Sequence, residues 1–217
     1  LFKKFINESE NGKRLKKNGK KLKPETIDNY RYVYGNIQEY LAYNSNTFRL
    51  RLFDKLDKRS KEVERNYWKK FYKQFTDFLY TTKKCHDNYV GASIKVLRVF
   101  LNYLKNEKLL STGDFFKDFY VTKEEIPILT LTSEQLQFLI FDEDFKTSLP
   151  SSLEISLDVF IIGCTVALRV SDIFNLYSKD IEKIGEYYYL QNRSLKTETN
   201  TRVRLPDYAV LIIKKYM

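Results

Sequence analysis

The chain is poor in the residues that make turns, metal sites and cross-links. Glycine (7) and proline (4) are scarce in 217 residues. So few breakers favour long helices over a fold built of many tight turns. The two cysteines, Cys85 and Cys164, form no C-x-x-C pair and no cluster with histidine. That spacing suggests no zinc site, and no metal or other cofactor is expected. Cys164 sits in an apolar run and reads as a core residue. No stretch reaches the ~20 apolar residues of a membrane span. Residues 1–23 are basic and lack the apolar segment of a secretory signal. The expected setting is the reduced cytoplasm, with no membrane partner.

Hydrophobic residues make up 43% of the chain and charged ones 30%, enough for real cores under a charged surface. The length suits one or two domains. Formal net charge is +10, and it is unevenly placed. Residues 1–125 hold 28 Lys and Arg against 16 Asp and Glu, whereas residues 126–217 hold 10 against 12. A basic excess confined to the first part points to a polyanion, most simply double-stranded DNA. The alternative is a basic solvated surface.

Residues 1–23 carry nine Lys and Arg and two Glu, and read as a flexible basic arm or linker. Such an arm grips phosphates or is merely solvated. A helix is expected over 24–43, with Pro24 in its first turn and Ile27, Tyr30, Tyr34, Ile37 and Leu41 on one stripe. A second spans 61–80, with Val63, Tyr67, Phe71, Phe75 and Phe78 inward; Lys69, Lys70 and Lys73 lie off that stripe. A third spans 88–105, capped by Asn88, with Ile94, Leu97, Leu101 and Leu104 inward. Beside that stripe run Lys95, Arg98, Asn102 and Lys105. Arginine and asparagine are residue types that read guanine and adenine in a major groove. The candidate DNA contacts are therefore Lys69, Lys73, Lys95, Arg98, Asn102 and Lys105. A linker over 121–131, approached from Lys117 and containing Pro127, separates residues 24–120 from 132–217. Thr132 or Ser133 then caps a new helix whose first turn holds Glu134.

The centre of the second part is D-V-F-I-I-G-C-T-V-A-L-R-V-S-D-I-F-N-L-Y-S-K-D, residues 158–180. Val159 to Leu168 carry no charge and suit a buried helix. Arg169 at its end would be desolvated and in need of an anion. Asp172, one turn on, supplies it. A buried pair of this kind is most often structural. The other reading is that Asp172 holds Arg169 ready for a phosphate. Tyr187–Leu190 and Arg202–Leu205 read as strands. The polar stretch between them makes a hairpin with Lys196 near its turn. Pro206 closes the second strand, and a helix starts at Leu211.

A-L-R-V-S-D-I-F-N-L, residues 167–176, resembles the first catalytic box of the tyrosine recombinases (phage-integrase family), G-L-R-x-S-E/D-L-x-x-L. Ala167 stands where that family usually has glycine. Lys196 and Thr197, followed by V-R-L-P at 203–206, resemble the family's hairpin lysine and its strand. Residues 26–41 and 88–104 resemble the first and later helices of its core-binding domain, the second in the form common in Bacteroides-type mobile-element integrases. The resemblance covers about residues 24–217.

It implies a mainly α fold: a helical, SAM-like core-binding domain, then the first part of an α+β catalytic domain with a small β-hairpin. Two such lobes clamp duplex DNA, and four protomers assemble on two sites. The implied reaction is strand exchange through a 3′-phosphotyrosyl link, without metal or ATP. Arg169 would offset charge on the scissile phosphate with its guanidinium fork. Asp172 would orient Arg169, and Lys196 would protonate the leaving 5′-oxygen. The family's His-x-x-Arg box, further His or Trp and nucleophilic Tyr do not follow. The lone His86 lies upstream of the first box. With a start at Leu1 and a stop at Met217, the chain reads as a fragment that binds DNA and cleaves none. Two other readings stay open. One is a DNA-binding regulator with a helix-turn-helix at Arg169, though Ile173, Phe174 and Leu176 look buried. The other is a helical scaffold for a protein partner.

Overall fold

The computed structural model describes residues 1–45 and 48–216. It is mainly helical, with a three-stranded antiparallel sheet of order β1-β2-β3, and divides into two compact units, Leu1–Ile126 and Pro127–Met217.

The first unit is built from α1 (Phe2–Glu10), α2 (Pro24–Tyr43), α3 (Lys58–Thr81) and α4 (Asp87–Asn106). Pro24 starts α2, where a missing N–H costs nothing. The Asp57 carboxylate accepts from Ser60 N at 2.6 Å and starts α3 earlier than its apolar pattern suggests. The core is largely aromatic: Phe5, Trp68, Phe75 and Phe100 are all buried, and Trp68 stacks on Phe115 at 4.7 Å. Val63 is half exposed, against expectation, while Glu64 and Trp68 turn inward. Glu64 tolerates burial because Arg49 Nη2 and Trp68 Nε1 both donate to it, at 3.0 and 3.1 Å.

Residues 1–23 are not a loose arm. Phe2, Phe5 and Ile6 follow helical spacing and bury α1 against α2 and α4, with Phe2 and Phe100 stacked at 4.2 Å. A count of charges over the segment conceals that short stripe. Asn88 is not the cap of α4; His86 holds that position. The Asn88 side chain instead exchanges two hydrogen bonds with the backbone of Glu124, at 3.3 and 3.0 Å. Gly91 permits the same approach: a Cβ there would lie 1.9 Å from Thr122 O. The first residues of the expected linker are thus fastened to α4, and the exposed stretch begins at Lys123.

The second unit contains α5 (Ser133–Phe141), α6 (Glu143–Ser148), α7 (Ser151–Val166), α8 (Val170–Ile173), β1 (Ile181–Ile184), β2 (Tyr187–Arg193), β3 (Asn200–Leu205) and α9 (Asp207–Lys215). Thr132 caps α5 in a reciprocal box with Gln135. Ile162, Val166, Leu190, Leu205, Ala209 and Val210 form the core between α7, the sheet and α9. Cys164 is exposed rather than buried, because α7 turns Ile161, Ile162 and Val166 inward. β1 was not expected; it pairs with β2 through a two-residue turn at Gly185 and Glu186, with Gly185 at φ +58. α9 begins directly after Pro206 rather than at Leu211. Asp158 of α7 accepts from Lys215 Nζ at 3.0 Å and from Tyr216 OH at 2.7 Å, fixing α9. The ion pairs with Glu154 and Asp158 hold the Lys215 ammonium well above its ordinary range.

Candidate active site and DNA interface

The candidate site is made where α7 stops. Ala167 takes left-handed backbone angles, φ 51 and ψ 28, and donates to Gly163 O at 3.0 Å. That position usually falls to glycine, whose missing Cβ makes it free of strain. The reversal sends Leu168 toward the core and leaves Arg169 extended at the N-cap of α8. The Arg169 carbonyl accepts from Asp172 N at 2.8 Å and Ile173 N at 3.0 Å, which sets Asp172 one turn away.

The burial of the pair is the reverse of what the sequence suggested. The Arg169 side chain is 52% exposed and that of Asp172 only 1%. The expected desolvated arginine is in fact a solvent-facing one, because the chain has already left α7 at Ala167. Their ion pair is long, 4.0 Å from Nη1 to Oδ2. The closer link runs through Ser194, a residue that sequence reasoning passed over. Arg169 Nη1 donates to Ser194 Oγ at 3.1 Å, and Ser194 Oγ donates to Asp172 Oδ2 at 3.0 Å. The other Asp172 oxygen accepts from Leu195 N at 3.0 Å.

Ser194 and Leu195 open the hairpin tip between β2 and β3. The tip closes on itself: Ser194 N donates to Thr199 O at 3.0 Å and Glu198 N to Ser194 O at 2.8 Å, with Glu198 at φ 59. Lys196, exposed, follows Leu195 directly. One buried carboxylate therefore governs both candidate groups. It sets Arg169 through Ser194, and it pins the tip one residue before Lys196. The only sequence signal for Ser194 was its place in S-L-K. The Arg169 fork has five N–H donors and spends Nη1 on the serine, leaving others for an anion.

The candidate DNA contacts of the first unit separate into two groups. Arg98 Nη1 donates to Phe119 O at 3.3 Å, and Lys105 is paired with Asp114. Both fasten residues 114–119 to the helical core and are not open cations. Asn102 Nδ2 donates to Arg98 O at 3.0 Å, back along its own helix. Lys69, Lys73 and Lys95 are exposed, and their side chains make no hydrogen bond or ion pair among the described residues. The expected stripe on α4 is thus reduced to Lys95 and the exposed Asn102, while α3 presents Lys69 and Lys73 one turn apart.

Among the described residues no group of three His, Cys, Asp or Glu could hold a metal ion, and no helix is long and apolar enough to cross a membrane. The chain matches no protein-family model, no curated protein and no solved structure.

Proposed function

We propose that this chain binds double-stranded DNA and carries the phosphate-activating part of a site-specific recombinase of the tyrosine type. The observation that carries this reading is the coupling of Arg169 to the Lys196 hairpin through Asp172 and Ser194. A structural ion pair needs only the two charges. Here the anion is buried under a loop tip, and the cation is left facing outward beside it. In strand exchange, attack on a phosphodiester builds charge on the non-bridging oxygens, and in this reading the outward guanidinium fork offsets it. The lysine on the adjacent tip would protonate the leaving oxygen. The nucleophilic tyrosine belongs, in this reading, to residues outside 1–217. A tetramer on paired sites belongs to the same proposal.

Charge supports the DNA half of the proposal, since the excess lies in residues 1–125 and Lys69, Lys73 and Lys95 stay unpaired. A helix-turn-helix regulator needs a recognition helix after the turn at Arg169. α8 ends after Ile173, and the following Phe174 is 70% exposed rather than buried as expected. The brevity of α8 weighs against that reading, whereas the exposure of Phe174 removes part of the objection raised from the sequence.

The test is Arg169→Ala in the full recombinase. Strand cleavage of a labelled duplex is expected to disappear while duplex affinity stays nearly intact. Loss of affinity instead would favour a regulator that uses Arg169 for binding.

A further inference from the structure

The first unit holds a second basic element that the candidate interface on α3 and α4 does not include. Residues 11–24, N-G-K-R-L-K-K-N-G-K-K-L-K-P, contain no acidic residue. They are also ordered. Leu15 and Lys21 form a β-bridge, and Lys16 N donates to Lys20 O at 2.8 Å. Gly19 N donates to Lys16 O at 2.9 Å, closing a four-residue turn, and Gly19 takes φ +77. Asn18 Oδ1 accepts from Lys20 N at 3.2 Å and stiffens the tip.

Arg14 fixes this loop to the core. Its guanidinium lies over the rings of Phe5 and Tyr103, at 4.4 and 5.0 Å. It also donates to Glu107 at 3.0 Å and to Ser9 Oγ at 2.9 Å. The nearby carboxylates of α1 are already committed: Glu8 to Lys108 at 2.8 Å and Glu10 to Arg31 at 2.6 Å. Lys16, Lys17 and Lys21 make no ion pair among the described residues. Folding has gathered like charges on a short, anchored loop and left no acid in it to neutralise them. That arrangement costs repulsion, and a row of external phosphates relieves it.

We propose that the 13–21 loop is a separate phosphate-gripping element that holds the DNA backbone without reading its sequence; this rests on the DNA-binding reading above. Lysine favours that role over base recognition. Its ammonium is a point charge on a flexible stem, without the planar fork that reads a base edge. The loop therefore adds affinity and salt dependence equally to every duplex. An anionic lipid surface presents similar charges, but the loop's only large apolar side chains are Leu15 and Leu22, and Leu22 packs against the core.

The experiment uses the whole chain and two duplexes of unrelated sequence, titrated over a salt series. The variants are Lys16→Gln/Lys17→Gln/Lys21→Gln and the charge-keeping Lys16→Arg/Lys17→Arg/Lys21→Arg. Each phosphate contact adds about 0.9 to the slope of log affinity against log salt. The glutamine variant is expected to lower that slope by about 2 to 3 on both duplexes alike. The arginine variant is expected to keep it. Far-ultraviolet circular dichroism confirms that both remain folded. An unchanged slope in the glutamine variant, with the parent chain still binding, overturns the loop assignment and leaves the DNA reading standing. A parent chain that binds neither duplex overturns both. Tighter binding to phosphatidylserine vesicles than to duplex at equal salt reassigns the loop to a lipid surface.

Discussion

Asp172 Oδ1 accepts a hydrogen bond from the backbone N–H of Leu195 at 3.0 Å, tying the short helix α8 to the tip that bears Lys196. The carboxylate is buried and its second oxygen holds Ser194. Asp172→Ala leaves the Leu195 amide and the Ser194 hydroxyl without their acceptor. The expected loss is about 1–3 kcal/mol of stability, read from thermal or urea unfolding. Amide exchange should quicken at Leu195 and across 194–199, with little change in α2 or α3. A uniform destabilisation with an unaltered tip would remove the coupling role assigned to Asp172.

Ala167 holds a backbone conformation that an alanine side chain opposes, at φ 51. Ala167→Gly should therefore raise the stability of the second unit by about 1 kcal/mol, contrary to the usual effect of introducing glycine. Chemical unfolding followed through the second unit's tyrosines checks the sign. A loss of stability would mean that this reversal is not maintained in solution.

Gly91 admits the backbone of Thr122 where any Cβ would lie 1.9 Å from its oxygen. Gly91→Ala should push residues 119–124 off α4 and cost on the order of 1–3 kcal/mol. Limited proteolysis should then cut earlier than in the parent chain, near residues 119–124. Asn88→Ala, which removes the paired bonds to Glu124, should shift the cuts the same way with a smaller effect.

Glu8 fastens α1 to α4. The hydrogen bond from the Lys108 ammonium, and then that from the Tyr103 hydroxyl, hold its carboxyl below the ordinary value of 4.5. A depressed folded-state pKa means that the contribution is fully present above pH 4.5 and is lost as pH falls through the lower folded value. Amide exchange at Phe5 and Ile6 should accelerate below that pH ahead of the α3 core. In Lys108→Ala the acid sensitivity of α1 should diminish. If the two chains respond identically, Glu8 is not the group that titrates.

Sequence pattern revealed the elements whose apolar stripes are long. α2, α3 and α4 repeat their periodicity over several turns, Tyr187–Leu190 has strong strand propensity, and Arg202–Leu205 alternates. Short elements were hidden. Phe2, Phe5 and Ile6 make too brief a stripe to stand out among nine cations, and β1 offers only Ile181 and Ile184. The box around Arg169 was readable as a motif, but its burial was not. Alanine at 167 hides a turn that a glycine would have signalled, so the arginine was placed inside and Phe174 with it. Arg98 and Lys105 looked like open cations because their partners, Phe119 O and Asp114, lie in an irregular segment without periodicity. Ser194 needed the tertiary fold, since it meets Asp172 from 22 residues away.

The most direct test of the account is the affinity of this chain for a duplex across a range of salt. The expected result is binding whose logarithm falls linearly with the logarithm of salt concentration, each phosphate contact contributing about 0.9 to the slope. Absence of binding at low salt, or an affinity indifferent to salt, would contradict it and leave the helical scaffold for a protein partner as the standing explanation.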